Sequence, residues 1–236
     1  MKELSILIPV YNEEKTVAQV MRTVGNACPE AQIIYIDDGS HDSSLEILKQ
    51  NAREQDLVLT KPNGGKGSAI RMGLEHSTGK YSVIQDADLE YEPSEMLLLL
   101  KEAKEKNVKV VFGSRFMQKN PRAYLIFLMG NKVLSLIISI LFFKRITDSY
   151  TCYKLLDTNL FKSLNLKSNG FEMEAEICAK CLKLKEEILE VPISYNPRTI
   201  EEGKKINWKD AVKGILMMLK IRVGISASTH SSSRET

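Results

Sequence analysis

The stretch Tyr81-Ser-Val-Ile-Gln-Asp86-Ala-Asp88 decides how this chain is read. Its first half is apolar and β-branched, as in a strand covered on both faces. It then runs directly into two carboxylates one residue apart. At the mouth of a strand that spacing presents oxygen to a hard divalent cation. Mg²⁺ and Mn²⁺ take oxygen ligands, commonly one or two carboxylates plus the phosphates of a substrate. An ordinary acidic turn has the same pattern, so its weight depends on what flanks it.

Outward from this stretch, strand and helix patterns alternate. Strands are predicted over 4–10, 32–37, 57–60, 81–86 and 108–114, and helices over 13–25, 43–54, 66–76 and 94–106. Asn12 followed by Glu13 and Glu14 suits the start of the first helix, and Pro93 the start of the fourth. Such alternation predicts an α/β fold with a doubly wound, mostly parallel sheet, which binds ligands at the carboxyl ends of its strands. The polar residues obey that rule. Pro9-Val-Tyr11-Asn12-Glu13 follows the first strand, and Asp37-Asp38-Gly39-Ser40 ends the second. Asn63-Gly-Gly65-Lys66-Gly67 follows the third, and Gly113-Ser-Arg115 ends the fifth.

Each of these segments has a chemical reading beside a plain one. Asp37 can accept from ribose hydroxyls or a base N–H, with Gly39 permitting a tight turn; an Asp-Gly turn into a helix looks alike. The glycines at 64, 65 and 67 let backbone N–H groups approach a phosphate, with Lys66 adding a cation at a helix start; a flexible turn looks alike. The loop lacks the Gly-x-x-x-x-Gly-Lys-Ser/Thr spacing, which argues against a kinase or ATPase. Asp86 and Asp88 would hold a metal bridging a diphosphate, with Gln85 and Glu90 as further oxygen ligands. The metal, Lys66 and Arg115 would offset charge on a departing diphosphate.

Composition narrows the classes. The chain has 236 residues, 43% of them hydrophobic, enough for one domain or one with an appendage. A net charge of +3 is too small to argue for nucleic acid. The sequence enters a strand at Leu4 without a signal-peptide pattern. Cys28, Cys152, Cys178 and Cys181 offer no second ligand pair for structural zinc and read as half-buried thiols in a reducing compartment. Past residue 120 the pattern changes to a long apolar stretch, a mixed region at 150–163, a helix at 171–184, a strand at 189–195 and a last helix from Trp208. The Ser/Thr-rich tail 226–236 is expected to be disordered.

Pro9-Val-Tyr-Asn-Glu, Asp37-Asp-Gly-Ser, Asn63-Gly-Gly-Lys-Gly-Ser-Ala and Asp86-Ala-Asp-Leu-Glu, in that order, resemble an inverting family 2 glycosyltransferase of the GT-A fold. Gly113-Ser-Arg-Phe, Asp148-Ser-Tyr-Thr-Cys-Tyr-Lys154, Gly170-Phe-Glu-Met-Glu-Ala-Glu176, Glu190-Val-Pro-Ile-Ser-Tyr, Arg198 and Glu202-Gly-Lys-Lys205 resemble the dolichyl- or polyprenyl-phosphate sugar synthases. The resemblance covers about 4–222. It implies a nucleotide-sugar-binding half at 1–120 and an acceptor-side region with interfacial helices at 121–225. It implies nucleotide contacts for Asp37, a Mg²⁺ or Mn²⁺ on Asp86 and Asp88, and lipid-phosphate contacts for Arg115, Arg198 and Lys205. Two positions depart from the pattern: Glu90 stands where many relatives carry Gln, and Cys152-Tyr-Lys154 where Gly-Phe-Arg is common. The first bears on metal preference and the second on the acceptor site.

The implied reaction moves one sugar from a nucleotide diphosphate sugar, GDP-mannose or a UDP-sugar, to a polyprenyl or dolichyl phosphate. A lipid phosphate is already an anion, so no dedicated base is required. If the acceptor is a hydroxyl of a glycan or glycolipid, Asp148 is the candidate base. A module that binds the nucleotide sugar without turnover is the rival of another class.

The membrane reading rests on two segments. The apolar run 124–143 is broken by Gly130-Asn-Lys132, and its clean part falls short of the roughly 20 residues a bilayer span requires. It reads as an interfacial helix, or as a helix buried against the domain. In the last helix Trp208, Val212, Ile215, Leu216, Leu219 and Val223 recur at helical spacing opposite Lys209, Lys213 and Lys220. That pattern suits an anionic membrane surface or packing on the domain. The expected location is peripheral on the cytoplasmic face of a membrane, with a membrane-anchoring protein as a possible partner.

Overall fold

A computed structural model describes residues 2–118, 125–197 and 208–224. Arg198, Lys205 and the tail at 226–236 lie outside them. The chain runs β1 (Leu4–Val10), α1 (Val17–Ala27), β2 (Gln32–Asp37), α2 (Ser44–Asn51), β3 (Leu57–Thr60), α3 (Lys66–Glu75), β4 (Tyr81–Ile84), α4 (Glu95–Glu105) and β5 (Val110–Ser114). It continues with α5 (Leu125–Phe142), β6 (Lys154–Asp157), α6 (Thr158–Ser163), α7 (Met173–Lys183), β7 (Ile188–Pro192) and α8 (Trp208–Val223).

One seven-stranded sheet carries the order β3-β2-β1-β4-β6-β5-β7. All neighbours are parallel except β6, which runs antiparallel to both β4 and β5. The expected α/β, mostly parallel architecture is therefore present. Ile6, Leu7, Ile8, Ile33, Ile34 and Ile36 are completely buried, as continuous apolar strands in a two-sided sheet must be. α3 packs on β1 and β2, α4 on β5, and α5, α7 and α8 on one another.

Strand order turns outward in both directions from β1, with β2 on one side and β4 on the other. Ligands of open α/β sheets bind at such a switch point, past the carboxyl ends of the strands. β6 and β7, from the second half of the chain, complete the sheet begun by the first.

Several expectations need correction. The first helix begins at Val17, because Glu13 to Thr16 form a turn in which the N–H groups of Thr16 and Val17 donate to the Glu13 carbonyl. Asn12 takes a positive φ of 53° and caps nothing; its side chain accepts from His41 N. The mixed region at 150–163 hides β6, whose Lys154 defeats an apolar pattern yet is fully buried. The last helix buries Gly214, Met218 and Ile221, leaving Val212, Leu216, Leu219 and Val223 of the anticipated stripe exposed. The four thiols are buried rather than half-buried.

Candidate active site

A cavity of about 390 Å³ opens at the switch point between β1 and β4. Pro9 near the end of β1, Tyr11 and Glu13 after it, Asp38 after β2, and Asn63, Gly65 and Lys66 at the start of α3 line it. So do Asp86, Asp88 and Glu90 after β4, and Arg115 after β5. Eleven of the residues singled out from the sequence thus share one wall. Strand-end ties hold the rim together. Thr16 Oγ1 donates to the Ala87 carbonyl at 2.7 Å, and Glu13 N to Ser44 Oγ at 2.8 Å.

The acid turn is locally constrained. Leu89 takes φ 62° between Asp88 and Glu90, and Glu90 N donates to Asp88 Oδ1 at 3.1 Å. A non-glycine residue in that region is strained, a feature that concentrates at functional sites. Asp86 Oδ1 lies 2.8 Å from Lys66 Nζ. Tyr195 Oη donates to Glu90 Oε2 at 2.7 Å. Gln85 is taken out of the ligand set, since its Oε1 accepts from Tyr153 Oη at 2.5 Å and it is buried.

Two cations face the acids. Arg115 is anchored by Asp148: its Nε donates to Oδ2 at 2.7 Å and its Nη2 to Oδ1 at 2.8 Å. Its guanidinium also lies 5.0 Å from the Tyr195 ring centroid, within cation–π range. Burial works against charge on Arg115, but Asp148 outweighs it and holds the pKa above the ordinary arginine value. Asp148 itself is held from behind, because Glu190 accepts from the N–H groups of Thr147 and Asp148. Both Asp148 oxygens serve Arg115, so the geometry suits an anchor for that cation rather than a base facing an acceptor. Lys66 sits between Asp86 and Glu174, whose Oε1 is 2.9 Å away. Burial lowers its pKa, but Asp86 more than reverses this.

Other anticipated residues stand behind the wall. Asp37 is 1% exposed and accepts from the N–H groups of Gly39 and Ser40 and from Thr60 Oγ1. It folds the strand end, while Asp38 reaches the cavity. Gly39 has φ 73°, and a Cβ there would lie 2.7 Å from Asn63 N. The glycine-rich loop differs from expectation. The N–H groups of Gly64 and Gly65 donate to Asp38, and that of Gly67 to the Asn169 carbonyl, so these groups meet protein rather than phosphate. At Gly65, with φ 89°, a Cβ would lie 2.5 Å from Asn169 O. The glycines therefore admit the 168–170 loop.

Sequence reasoning assigned no individual role to Tyr91, Asn131, Tyr150, Phe171, Glu174 and Tyr195, which also line the cavity, as does Cys152 of the Cys152-Tyr-Lys154 departure. Tyr150, Cys152, Phe171, Glu174 and Tyr195 lie inside three of the quoted motifs, the one available signal. Burial pushes the Cys152 thiol well above its ordinary value.

The donor set fits a hard divalent cation. Among the described residues six lining side chains are acidic, Glu13, Asp38, Asp86, Asp88, Glu90 and Glu174, and two are cationic, Lys66 and Arg115. Positive charge brought in with a diphosphate would offset its repulsion from Asp86 and Asp88. Among the described residues no three His, Cys, Asp or Glu side chains converge as a metal cluster.

A doubly wound sheet with an acid pair at its switch point, faced by anchored cations, is the arrangement of a GT-A-fold glycosyltransferase. The chain belongs to the Glycosyl transferase family 2, whose model matches residues 5–164. It is 27% identical over 218 residues to glycosyltransferase AglJ of Haloferax volcanii, covering 92% of this chain and 70% of AglJ. It is 36% identical over 112 residues to the undecaprenyl-phosphate 4-deoxy-4-formamido-L-arabinose transferase of Salmonella paratyphi B, covering 44% of this chain but only 34% of that protein. Mannosyl-3-phosphoglycerate synthase from Rubrobacter xylanophilus shares the fold, with TM-score 0.71, 17% identity and coverage of 96% and 77%. So does Mycobacterium tuberculosis glucosyl-3-phosphoglycerate synthase, solved with Mn²⁺, UDP and phosphoglyceric acid, with TM-score 0.69, 16% identity and coverage of 96% and 80%. Among the described residues no helix is long and apolar enough to cross a membrane.

Proposed function

We propose that this glycosyltransferase moves a single sugar, with inversion, from a nucleotide diphosphate sugar to a polyprenyl phosphate at a membrane surface. The carrying observation is that Asp86 and Asp88 after β4, Lys66 at the start of α3 and Arg115 after β5 face one cavity at the sheet's switch point. The acceptor class is supported by the name of the Salmonella relative, an undecaprenyl-phosphate transferase.

Asp86 and Asp88, with Glu90 beside them, would hold Mg²⁺ or Mn²⁺, which supplies positive charge against the diphosphate. Lys66 adds a second cation at the same group. Arg115, fixed by Asp148 and Tyr195, draws the acceptor phosphate toward a donor of like charge. An acceptor phosphate oxygen attacks the anomeric carbon, forming the new C–O bond. The bond from that carbon to the diphosphate breaks, and its electron pair leaves with the nucleoside diphosphate. No proton is moved, so the lack of an exposed base at Asp148 is consistent with a phosphate acceptor. Arg198 and Lys205, by resemblance, would complete the acceptor's phosphate site.

Membrane contact is supported by two packed helices. α5 exposes Met129, Val133, Leu136 and Ile140, with Phe143 just past its end, and α8 exposes Val212, Leu216, Leu219 and Val223. Exposed Lys132, Lys144, Arg145, Lys213, Lys220 and Arg222 flank these apolar side chains. Apolar residues ringed by cations suit an anionic lipid surface on the cytoplasmic face. Asn131 of α5 and Tyr150 line the cavity, which brings the site close to that surface.

The test is transfer of radiolabelled sugar from GDP- and UDP-sugars to polyprenyl phosphate. Asp88→Ala is expected to abolish transfer while the fold persists, and excess chelator to do the same to the parent. Label that enters only an acid-stable glycan would replace the phosphate acceptor with a hydroxyl. Donor binding without turnover on any acceptor would leave a binding module.

A further inference from the structure

Behind the acid pair runs a row of four alternating charges. Asp86 Oδ1 is 2.8 Å from Lys66 Nζ, and Lys66 Nζ is 2.9 Å from Glu174 Oε1. Glu174 Oε2 accepts from Lys154 Nζ at 2.6 Å, and Lys154 also donates to the Thr151 carbonyl. The loop after β4, α3, α7 and β6 each contribute one member. Side-chain exposure falls along the row from 22% at Asp86 through 10% at Lys66 and 3% at Glu174 to zero at Lys154. The four charges of the row sum to zero.

This balance has a consequence for binding. A divalent cation that approaches Asp86 meets an ammonium already in contact with it, and the two repel. Glu90, the next acid along the turn, is held by Tyr195 Oη at 2.7 Å. A diphosphate changes the balance, because it brings oxygens for the metal and a new anion for Lys66. Glu174 keeps the ammonium at the rim during the exchange, since Oε1 stays on Lys66 while Lys154 fixes Oε2.

We propose that Lys66 is a resident counter-cation that closes Asp86 in the nucleotide-free enzyme and passes to the diphosphate when metal and nucleotide enter together. Glu174 is the positioning residue that retains it. This rests on the donor reading above and adds to it the order of binding and the parts of Glu174 and Lys154.

The experiment titrates MnCl₂ into nucleotide-free protein, reading free Mn²⁺ by electron paramagnetic resonance, and then titrates UDP and GDP at saturating Mn²⁺. Lys66→Met leaves Glu174 paired with Lys154, so the variant is expected to melt cooperatively. Its Mn²⁺ affinity without nucleotide should rise roughly tenfold, as removal of an adjacent like charge implies, while nucleotide affinity falls. Lys66→Arg should restore weak Mn²⁺ binding. Glu174→Gln should weaken nucleotide binding several-fold without tightening Mn²⁺ alone, whereas a purely structural residue would shift only the melting temperature. Unchanged or weaker Mn²⁺ binding by Lys66→Met overturns the inference and leaves the donor reading intact. A parent that binds neither nucleotide with Mn²⁺ removes both.

Discussion

Replacing Asp148 with Asn would show whether Arg115 works as a fixed cation. Arg115 and Asp148 are 6% and 0% exposed and share two short side-chain bonds, with a third from Arg115 N to Oδ2 at 3.1 Å. Asn can keep one acceptor at the Oδ2 position, where two of these donors point. Its NH₂ then faces Arg115 Nη2, donor against donor, and the buried guanidinium loses its counter-charge. Breaking a buried pair by removing one partner costs about 3–5 kcal/mol, and the retained acceptor places this variant near 3 kcal/mol. In a chain of this size that lowers the melting temperature by about 6–12 °C. A guanidinium displaced by about 1 Å should also lower kcat by about a hundredfold. Differential scanning calorimetry and the radiolabel transfer assay read the two effects separately. A variant melting within a degree of the parent at full turnover would refute the reasoning. A lower melting temperature with turnover unchanged would leave the pair a purely structural feature.

Gly65→Ala must hold φ 89° and bring a Cβ to 2.5 Å from Asn169 O, so it should cost about 1–3 kcal/mol from backbone strain alone. The urea midpoint reads this, and a shift too small to resolve would mean that the 168–170 loop yields freely. Burial raises the pKa of Glu176, but the bonds from Lys180 and Ser168 outweigh it and hold the carboxyl below its ordinary 4.5. Burial likewise opposes charge on Glu174, where Lys154 and Lys66 prevail. A depressed folded value means stability that is present above that ordinary value and lost as pH falls through the folded one. Melting temperature should therefore drop as pH is lowered from 5 toward 3, and Glu176→Gln should flatten the drop; an equal slope in that variant would exclude Glu176 as a source. The paired change Ile140→Asp and Leu216→Asp puts charge on two exposed apolar positions and should reduce flotation with phosphatidylglycerol vesicles while the melt stays within a few degrees. Undiminished flotation would place the lipid contact elsewhere.

The β1 to β5 core was legible from residues alone, because strands buried on both faces must be continuously apolar, and helices between them must repeat at 3.6. The rim position of Asp86, Asp88, Lys66 and Arg115 followed from the same periodicity, since a parallel α/β sheet gathers its strand ends on one side. β6 was not legible. It is four residues long, and its buried Lys154 reads as polar unless Glu174, twenty residues later, is known to meet it. What packs into the glycine-rich loop was not legible for a related reason. Glycine declares conformational freedom and small size, but the group it makes room for is nonlocal, and here that group is the 168–170 backbone. α8 is apolar enough on two sides for either to pack inward, and only the placement of α5 and α7 selects Met218 and Ile221. Local pattern thus specifies elements and the edge where ligands gather. Partners across long sequence separations, Lys66 with Glu174 or Arg115 with Asp148, arise only when the whole sheet closes, because charge pairing depends on distance in space and leaves no period along the chain.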